Sequence, residues 1–437
     1  MNAFTSLRGM RDLLPEAVAK KRLVVNTVRE CFRLYGYEEL ETPVLESLRL
    51  LNAKAGEEIR HRLYSFQDLG GREVALRAEM TPSVARIVAN ELRTVAKPLR
   101  LGYIANCFRY DNPQRGRYRE FWQAGFELFG SSQIEADAEI IMVTHHLMTR
   151  LGFHDFTLKI GHVGILRSLL EQEDIDEHAQ NVVSGLVDKR RLKRAIAFLE
   201  QLQVSERCLS TIKRLFRLRG TDEEAILAAG HRALSATEGG AQALGEITAI
   251  IQLVRRNGAT ADLLVDLGFA RGLEYYTGMI FEVFVPDLGI ALGGGGRYDK
   301  LVELFRGEPT AAVGCAPGID RIVLAMEKSG LFPPSTPVLA QVLVVPVTEE
   351  LSGTAFDVAA HIRKHGISAQ SEMAGRSVRA ALSYAAKRRY AFTVIVGTRE
   401  LERGCIVLRD MQSKAQREVK LTALASALQQ AFSAGST

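Results

Sequence analysis

The feature that most constrains this chain is a change of patterning around residues 330–337, where three prolines fall in the string GLFPPSTP. Beyond it, short apolar runs alternate with amphipathic ones. Residues 342–347 read as a buried strand, 350–365 as a helix, 367–370 as a strand, 377–387 as a helix and 392–396 as another strand. That alternation predicts a compact α/β domain with a partly parallel sheet. Proline can continue neither a helix interior nor a central strand, so the stretch reads as a linker. At 437 residues the chain also exceeds what a single hydrophobic core absorbs. The expected organisation is a domain over 1–330, a linker at 331–337 and an α/β domain over 338–437.

Upstream of the linker the patterns are mixed. Apolar residues recur at helical spacing over 15–36, and 37–45 reads as extended, with Pro43 placed as on a strand edge or at an interface. Residues 99–130 predict two strands joined by a long basic hairpin loop. A helix over 136–151 and a strand over 156–160 follow. Residues 163–256 carry helical periodicity, many charges and few aromatics, as a helical insertion in a mixed domain would. Strands are predicted at 263–267, 279–285 and 290–292, then a glycine run at 293–296, a further strand over 311–315 and a helix near 318–328.

Hydrophobic residues at 47% and charged residues at 24% exclude the disordered and fibrous classes. The five cysteines are widely spaced with no CxxC pair, which suggests neither a zinc site nor a disulfide framework and points to a reducing cytoplasm. No signal-like segment or long apolar run appears, so a soluble, cytoplasmic protein with no membrane partner is expected. The net charge of +5 suits a polyanionic partner without requiring one.

Several strings could carry chemistry. Arg109 follows an apolar strand and opens a loop with Arg115, Arg117 and Arg119 interleaved with Tyr110 and Tyr118; guanidinium forks grip phosphate, although a solvated basic hairpin would look the same. RGLEYYTG (271–278) sets Arg271 beside Tyr275 and Tyr276. On a strand these tyrosines would face opposite sides, one lining a pocket, or both could be ordinary aromatic packing. GGGGRYD (293–299) fits neither a dinucleotide fingerprint nor a phosphate loop, and alone it reads as a bulge or turn. GCAPGIDR (314–321) ends a strand and opens a helix with Arg321 in its first turn, a place for a phosphate tail or a plain connection. Glu79 in LRAEMTP and Glu127 in FWQAGFELFG are carboxylates in apolar surroundings. Each needs a partner, be it a substrate cation or a structural one.

The order of these strings is more telling than any one of them. A proline-bearing first segment, a basic loop opened by arginine and a glycine-flanked helix carrying arginine resemble the three motifs of class II aminoacyl-tRNA synthetases. RGLEYYTG, GGGGRYD and the opening RGMRDLLP (8–15) resemble the histidine-specific branch. VIVGTREL followed by CIVLRDM resembles its anticodon-binding domain. The resemblance implies an α+β catalytic domain with a mixed, mostly antiparallel sheet, a helical insertion at 163–256 and a C-terminal α/β anticodon-binding domain. It further implies a ligase that activates L-histidine with ATP and passes it to tRNA(His). Glu79, Thr81 and Gln123 would receive the ammonium; Glu127 and Tyr276 would bracket the imidazole, with Tyr275 lining the pocket. Arg271 would lie between the substrate carboxylate and the α-phosphate. Arg109, Arg117 and Arg321 would hold ATP, and Arg115 and Arg119 would meet the acceptor end of the tRNA. Mg2+ would arrive on the ATP phosphates, with no metal site of the protein's own, and the motif-one segment implies a homodimer.

The loop reads YDNPQRGRYRE, with Asp111 and Asn112 where many bacterial members of the family carry glutamate and arginine. This is closer to archaeal or eukaryotic members. Two other readings share the fold: a non-catalytic paralogue that regulates ATP phosphoribosyltransferase, and a synthetase-like RNA sensor. The regulatory paralogues usually lack the C-terminal domain and degrade the Arg-Gly-Leu-x-Tyr-Tyr string, and both are present here.

Overall fold

Pro15 opens the first helix, Pro15–Tyr35, where its missing N–H costs nothing; Gly36 closes it in the left-handed region (φ 70°), returning its N–H to the Phe32 carbonyl. One face buries Val24, Val28, Cys31 and Phe32. A Cβ on Gly102 would fall 2.6 Å from the Phe32 ring, so glycine lets the helix lie directly on the sheet beneath. In this computed structural model residues 4–53, 56–271, 273–286, 288–333 and 341–434 are described. Most of the expected linker at 331–337, along with Gly272 of RGLEYYTG, lies outside them. The chain divides into two units, Met1–Phe332 and Pro333–Thr437.

The strands of the first unit are β1 Glu38–Glu39, β2 Leu45–Ser47, β3 Ser65–Gln67, β4 Glu73–Leu76, β5 Leu99–Phe108, β6 Glu120–Phe129, β7 Thr157–His162, β8 Arg219–Gly220, β9 Asp262–Asp266, β10 Met279–Phe284, β11 Gly293–Arg297 and β12 Ala312–Cys315. Nine of them form one sheet in the order β1-β5-β6-β12-β11-β10-β7-β9-β8, while β2-β4-β3 form a small separate one. The large sheet is antiparallel except at β1–β5 and β7–β9. It is thus the mixed, mostly antiparallel sheet that the resemblance implies.

Between Val163 and Arg256 the chain forms the helices Val163–Glu171, Glu177–Asp188, Leu192–Gln201, Glu206–Leu215, Glu223–Leu234 and Glu238–Arg256, interrupted only by β8, which pairs with β9. Their apolar faces, including Ile165, Val183, Leu199 and Leu244, join the same core as Val28, Phe126 and Ile160. The insertion therefore packs onto the sheet through continuous apolar contact.

Two expectations need correction. Residues 290–292 are not a strand; the strand is β11, the glycine run itself, in the middle of the sheet. Tyr275 and Tyr276 lie in a turn before β10 rather than on a strand, and both are buried. A turn is free of strict alternation, so the two rings can share one side, their centres 4.8 Å apart.

The second unit holds β13 Val342–Pro346, β14 Ala369–Ser371, β15 Phe392–Val396, β16 Cys405–Asp410 and β17 Gln416–Lys420, in the order β14-β13-β15-β16-β17. The first three are parallel and the last two antiparallel additions, as a partly parallel sheet requires. Its helices Ser352–Lys364 and Leu424–Ala434 cover one face through Val358, Ile362 and Leu428. Helix Val378–Lys387 covers the other through Ala381 and Ala385, and the Ser377 hydroxyl caps it by accepting from the Ala380 N–H. Among the described residues no helix is long and apolar enough to cross a membrane.

Candidate active site

The glycines of β11 explain where the cleft can form. Alternation on a strand puts Gly294, Gly296 and Tyr298 on one face. A Cβ on Gly294 would fall 2.4 Å from the Arg271 Nη1, and one on Gly296 would lie 2.9 Å from the Tyr276 ring. Any side chain at these positions would occupy the space that those two residues use. Arg297 points the other way and is clamped by Asp137, Nη2 to Oδ2 at 2.6 Å, which anchors the strand to helix Ile134–Arg150. Above this floor opens a cleft of about 1430 Å³. Small-molecule sites are typically about 300–1,000 Å³, so the cleft has room for more than one reactant.

One end of the cleft is a pocket of carboxylates and hydroxyls. Glu79, Thr81, Gln123, Tyr275, Tyr276 and Tyr298 all line it. Tyr275 donates its hydroxyl to Glu79 at 3.3 Å. Burial raises the Glu79 carboxyl above the usual range although Arg109 pulls the other way. Gln123, on β6, accepts the Cys107 thiol at 3.3 Å.

Glu127 is placed differently from the expectation that it meets a ligand directly. It is 1% exposed and lies behind the surface, accepting the Thr81 hydroxyl at 2.9 Å on one oxygen and the Tyr298 hydroxyl on the other. A Cβ on Gly314 would collide with it, so glycine in β12 makes room for the carboxyl. Burial pushes its pKa up to about 8 despite both hydroxyl donors. Thr81 lines the pocket with Glu79 and is also tied to Glu127.

The rest of the cleft is cationic. Arg109, Arg117, Arg271 and Arg321 all line it. Arg109 is held by its Nε to the Ala78 carbonyl at 2.8 Å, and Arg321 by Nη1 to the Ala291 carbonyl at 2.8 Å. Burial, and then the charges of Arg117, Arg109 and Arg271, push Arg321 down to about 10. Four guanidiniums facing one cavity repel one another until an anion enters, so the arrangement is built for a polyanion.

Arg271 rests 5.9 Å from the centre of the Tyr276 ring and pairs with Glu282 on β10, Nη1 to Oε1 at 3.3 Å. That nitrogen is buried, and beyond this ion pair it makes no well-aligned hydrogen bond among the described residues, which leaves donor capacity for a ligand oxygen. Glu282 was not singled out from the sequence, though an acid in the apolar strand MIFEVF was the available signal. Glu282→Gln keeps the shape and removes the charge. It is expected to lower the rate of the reaction that depends on Arg271 by roughly tenfold, in line with losing a close, part-buried ion-pair partner. Steady-state kinetics check this, and a change of less than about twofold would show that Arg271 is held by other means.

The loop arginines separate into two kinds. Arg117 reaches the cleft, and Arg115 is exposed at the loop tip. Arg119 does not line the cleft: it stacks on Tyr110 at 3.7 Å and donates to the Asp111 carbonyl at 3.1 Å, so its guanidinium is engaged within the loop. Asp111 in turn accepts Arg62 at 2.8 Å, which fastens the loop to the segment after helix Glu57–Arg60. The structure adds Tyr298, Glu282, Asp320 and Arg62 to the residues read from sequence. Tyr298 was legible in principle, two positions after Gly296 on the same strand face.

The family described as Histidyl-tRNA synthetase matches residues 9–322, and that described as Anticodon binding domain matches 341–431. A histidine–tRNA ligase of Pyrococcus furiosus is 39% identical over 95% of this chain and 96% of its own length. One of Methanocaldococcus jannaschii is 40% identical over 96% and 98%. A crystal structure from Bacillus halodurans, described as an ATP phosphoribosyltransferase regulatory subunit/histidyl-tRNA synthetase, superposes with a TM-score of 0.76 at 29% identity, covering 91% of this chain and 99% of that one.

Proposed function

The chain belongs to the histidyl-tRNA synthetase family, and from that premise we propose how its cleft carries out the work of a histidine–tRNA ligase. The enzyme activates L-histidine with ATP to histidyl-adenylate and pyrophosphate, then transfers histidine to the 3′ end of tRNA(His). The observation that carries the assignment of roles is the four-arginine cluster beside the carboxylate and tyrosine pocket.

In the first step the histidine carboxylate attacks the α-phosphorus and pyrophosphate leaves. Two anions must approach, so neutralising charge matters more than moving protons. Arg109, Arg117 and Arg321 hold the ATP phosphates, and Arg271 sits between the carboxylate and the α-phosphate with its unspent donor. Glu79 and Gln123 receive the ammonium. The imidazole meets Tyr276 on one edge and the Thr81–Glu127–Tyr298 unit on the other, as a ring that both donates and accepts requires. In the second step the terminal ribose hydroxyl attacks the adenylate carbonyl and AMP leaves. Arg115, exposed at the loop tip, is available to the acceptor end; Arg119 serves that end by shaping the loop.

Magnesium enters with ATP as substrate. Magnesium prefers oxygen ligands and keeps several waters, so it would be carried on the ATP phosphate oxygens. A homodimer is supported by apolar residues exposed on and beside the small sheet, Val44, Leu45, Phe66 and Leu69, which a second copy would cover. Sedimentation at low concentration tests that. The cytoplasm is the assigned setting, in keeping with five free cysteines.

The deciding experiment is pyrophosphate exchange into ATP with histidine, compared with other amino acids. Absence of histidine-dependent exchange in folded protein would sink the ligase reading and favour the regulatory paralogue. Removing residues 338–437 is expected to lower aminoacylation of tRNA(His) about tenfold or more, ~1.4 kcal/mol or above, while exchange persists. Equal loss of both would make the second unit a structural support rather than a tRNA reader.

A further inference from the structure

The opening string RGMRDLLP lies outside the cleft lining, yet it ties together the two elements that carry phosphate arginines. The Gly9 carbonyl accepts the Arg119 N–H at 2.9 Å. Gly9 is left-handed (φ 88°), and a Cβ there would fall 2.7 Å from Arg119 Cδ and 3.0 Å from Pro113. Two residues on, the Arg11 guanidinium lies 3.6 Å from the centre of the Tyr118 ring and donates to Asp320. The other Asp320 oxygen accepts the Trp122 backbone N–H at 2.6 Å. Arg11 therefore touches the return limb of the basic loop and the first turn of helix Ile319–Lys328 at once. Its two partners are the chain neighbours of Arg117 and Arg321.

The base of the loop is also joined to the start of this helix by the Trp122 backbone N–H to Asp320 and the Ala124 N–H to the Pro317 carbonyl at 3.0 Å, but the loop residues that carry Arg117 are held to it more weakly. The loop tip meets the helix through Arg321 Nε and the Gly116 carbonyl at 3.4 Å, a long contact. Arg117 and Arg321 themselves repel. Arg11 can join the sides because a guanidinium stacks flat on an aromatic ring while its edge donates to a carboxylate. Asp320 is 8% exposed, so its charge needs such a partner.

We propose that Arg11 is a positioning residue for ATP: acting through Tyr118 and Asp320, it sets the spacing between Arg117 and Arg321 and so the grip on the phosphates. This rests on the proposed division of the cleft into an ATP end and a histidine end. Histidine affinity is set elsewhere, by Glu79, Tyr276 and the Glu127 unit.

Trp122 is the only tryptophan in the chain and it lines the cleft, with its backbone N–H bonded to Asp320, so its indole fluorescence can follow nucleotide binding without turnover. The experiment titrates MgATP into the wild type, Arg11→Ala and Arg11→Lys, with calorimetry as a second readout. Exchange kinetics then give KM for ATP and for histidine. Arg11→Ala is expected to weaken ATP binding and raise KM for ATP by roughly tenfold, the scale of a lost charge-assisted contact, and to leave KM for histidine within about twofold. Arg11→Lys, which can pair but not stack flat, is expected to fall between. ATP affinity unchanged in Arg11→Ala, or KM values rising equally for both substrates, would overturn the proposal. If Arg11→Ala does not fold, Asp320→Asn and Arg11→Lys must show the same split. A wild type that lacks histidine-dependent exchange but binds ATP in an Arg11-dependent way would defeat the ligase reading and leave this inference standing.

Discussion

Arg271→Ala is expected to lower histidine-dependent pyrophosphate exchange by roughly a hundred- to a thousandfold, the usual cost of removing one preorganised donor aimed at developing charge. Histidine binding, measured by calorimetry without ATP, is expected to weaken far less. The reason lies in what holds Arg271. Glu282 and the Tyr276 ring fix the guanidinium from one side, and Gly294 leaves the space it needs against β11. Its buried Nη1 faces Glu282 at 3.3 Å but makes no well-aligned hydrogen bond among the described residues. A donor kept out of water and not yet used gains most when charge builds on the α-phosphate during attack. Equal loss of binding and rate would assign Arg271 to ground-state recognition and remove its transition-state role.

How far the fold was legible depended on whether the deciding forces were local. The helix expected over 136–151 is Ile134–Arg150, and the hairpin expected over 99–130 is β5 and β6, because periodicity and turn composition are properties of neighbours in the chain. The glycine run was misread because its strand character is supplied from outside. Glycine alone favours turns, yet four glycines run as a central strand where β10, β12, Arg271 and Pro317 leave no room for a Cβ. Once 293–297 is a strand, Tyr298 falls on the cleft face and Arg297 on the opposite one, which period-two reading alone would have shown. Arg119 shows the same limit: its charge advertises a ligand, while its stacking on Tyr110 and its bond to the Asp111 carbonyl are not readable from the sequence. Conversely, RGMRDLLP signalled itself in sequence while nothing local revealed that it spans the loop and the helix Ile319–Lys328.

The second large effect concerns Glu127, where stability and function are expected to move in opposite directions. Its carboxyl sits at about 8 in the folded, ligand-free protein because burial penalises the charge, whereas an exposed glutamate titrates near 4.5. The folded state therefore holds a proton that the unfolded state has released. Between those values stability falls as pH rises, and it levels off above about 8. Glu127→Gln has no such titration. The melting temperature of the variant relative to wild type should climb from pH 5 to pH 9, most steeply below 8. Histidine use should fall instead. Once ionised beside bound histidine, the carboxylate can accept from Thr81 and Tyr298 at once, but a glutamine amide offers only one oxygen, so one hydroxyl must turn away and the face that meets the imidazole is reshaped. The expected loss in kcat/KM for histidine is roughly tenfold to a hundredfold, with KM for ATP little changed. A variant that keeps full histidine use would place Glu127 in the fold alone. A melting difference independent of pH would mean that the buried carboxyl does not carry the shifted proton, and the stability half of the argument would go with it.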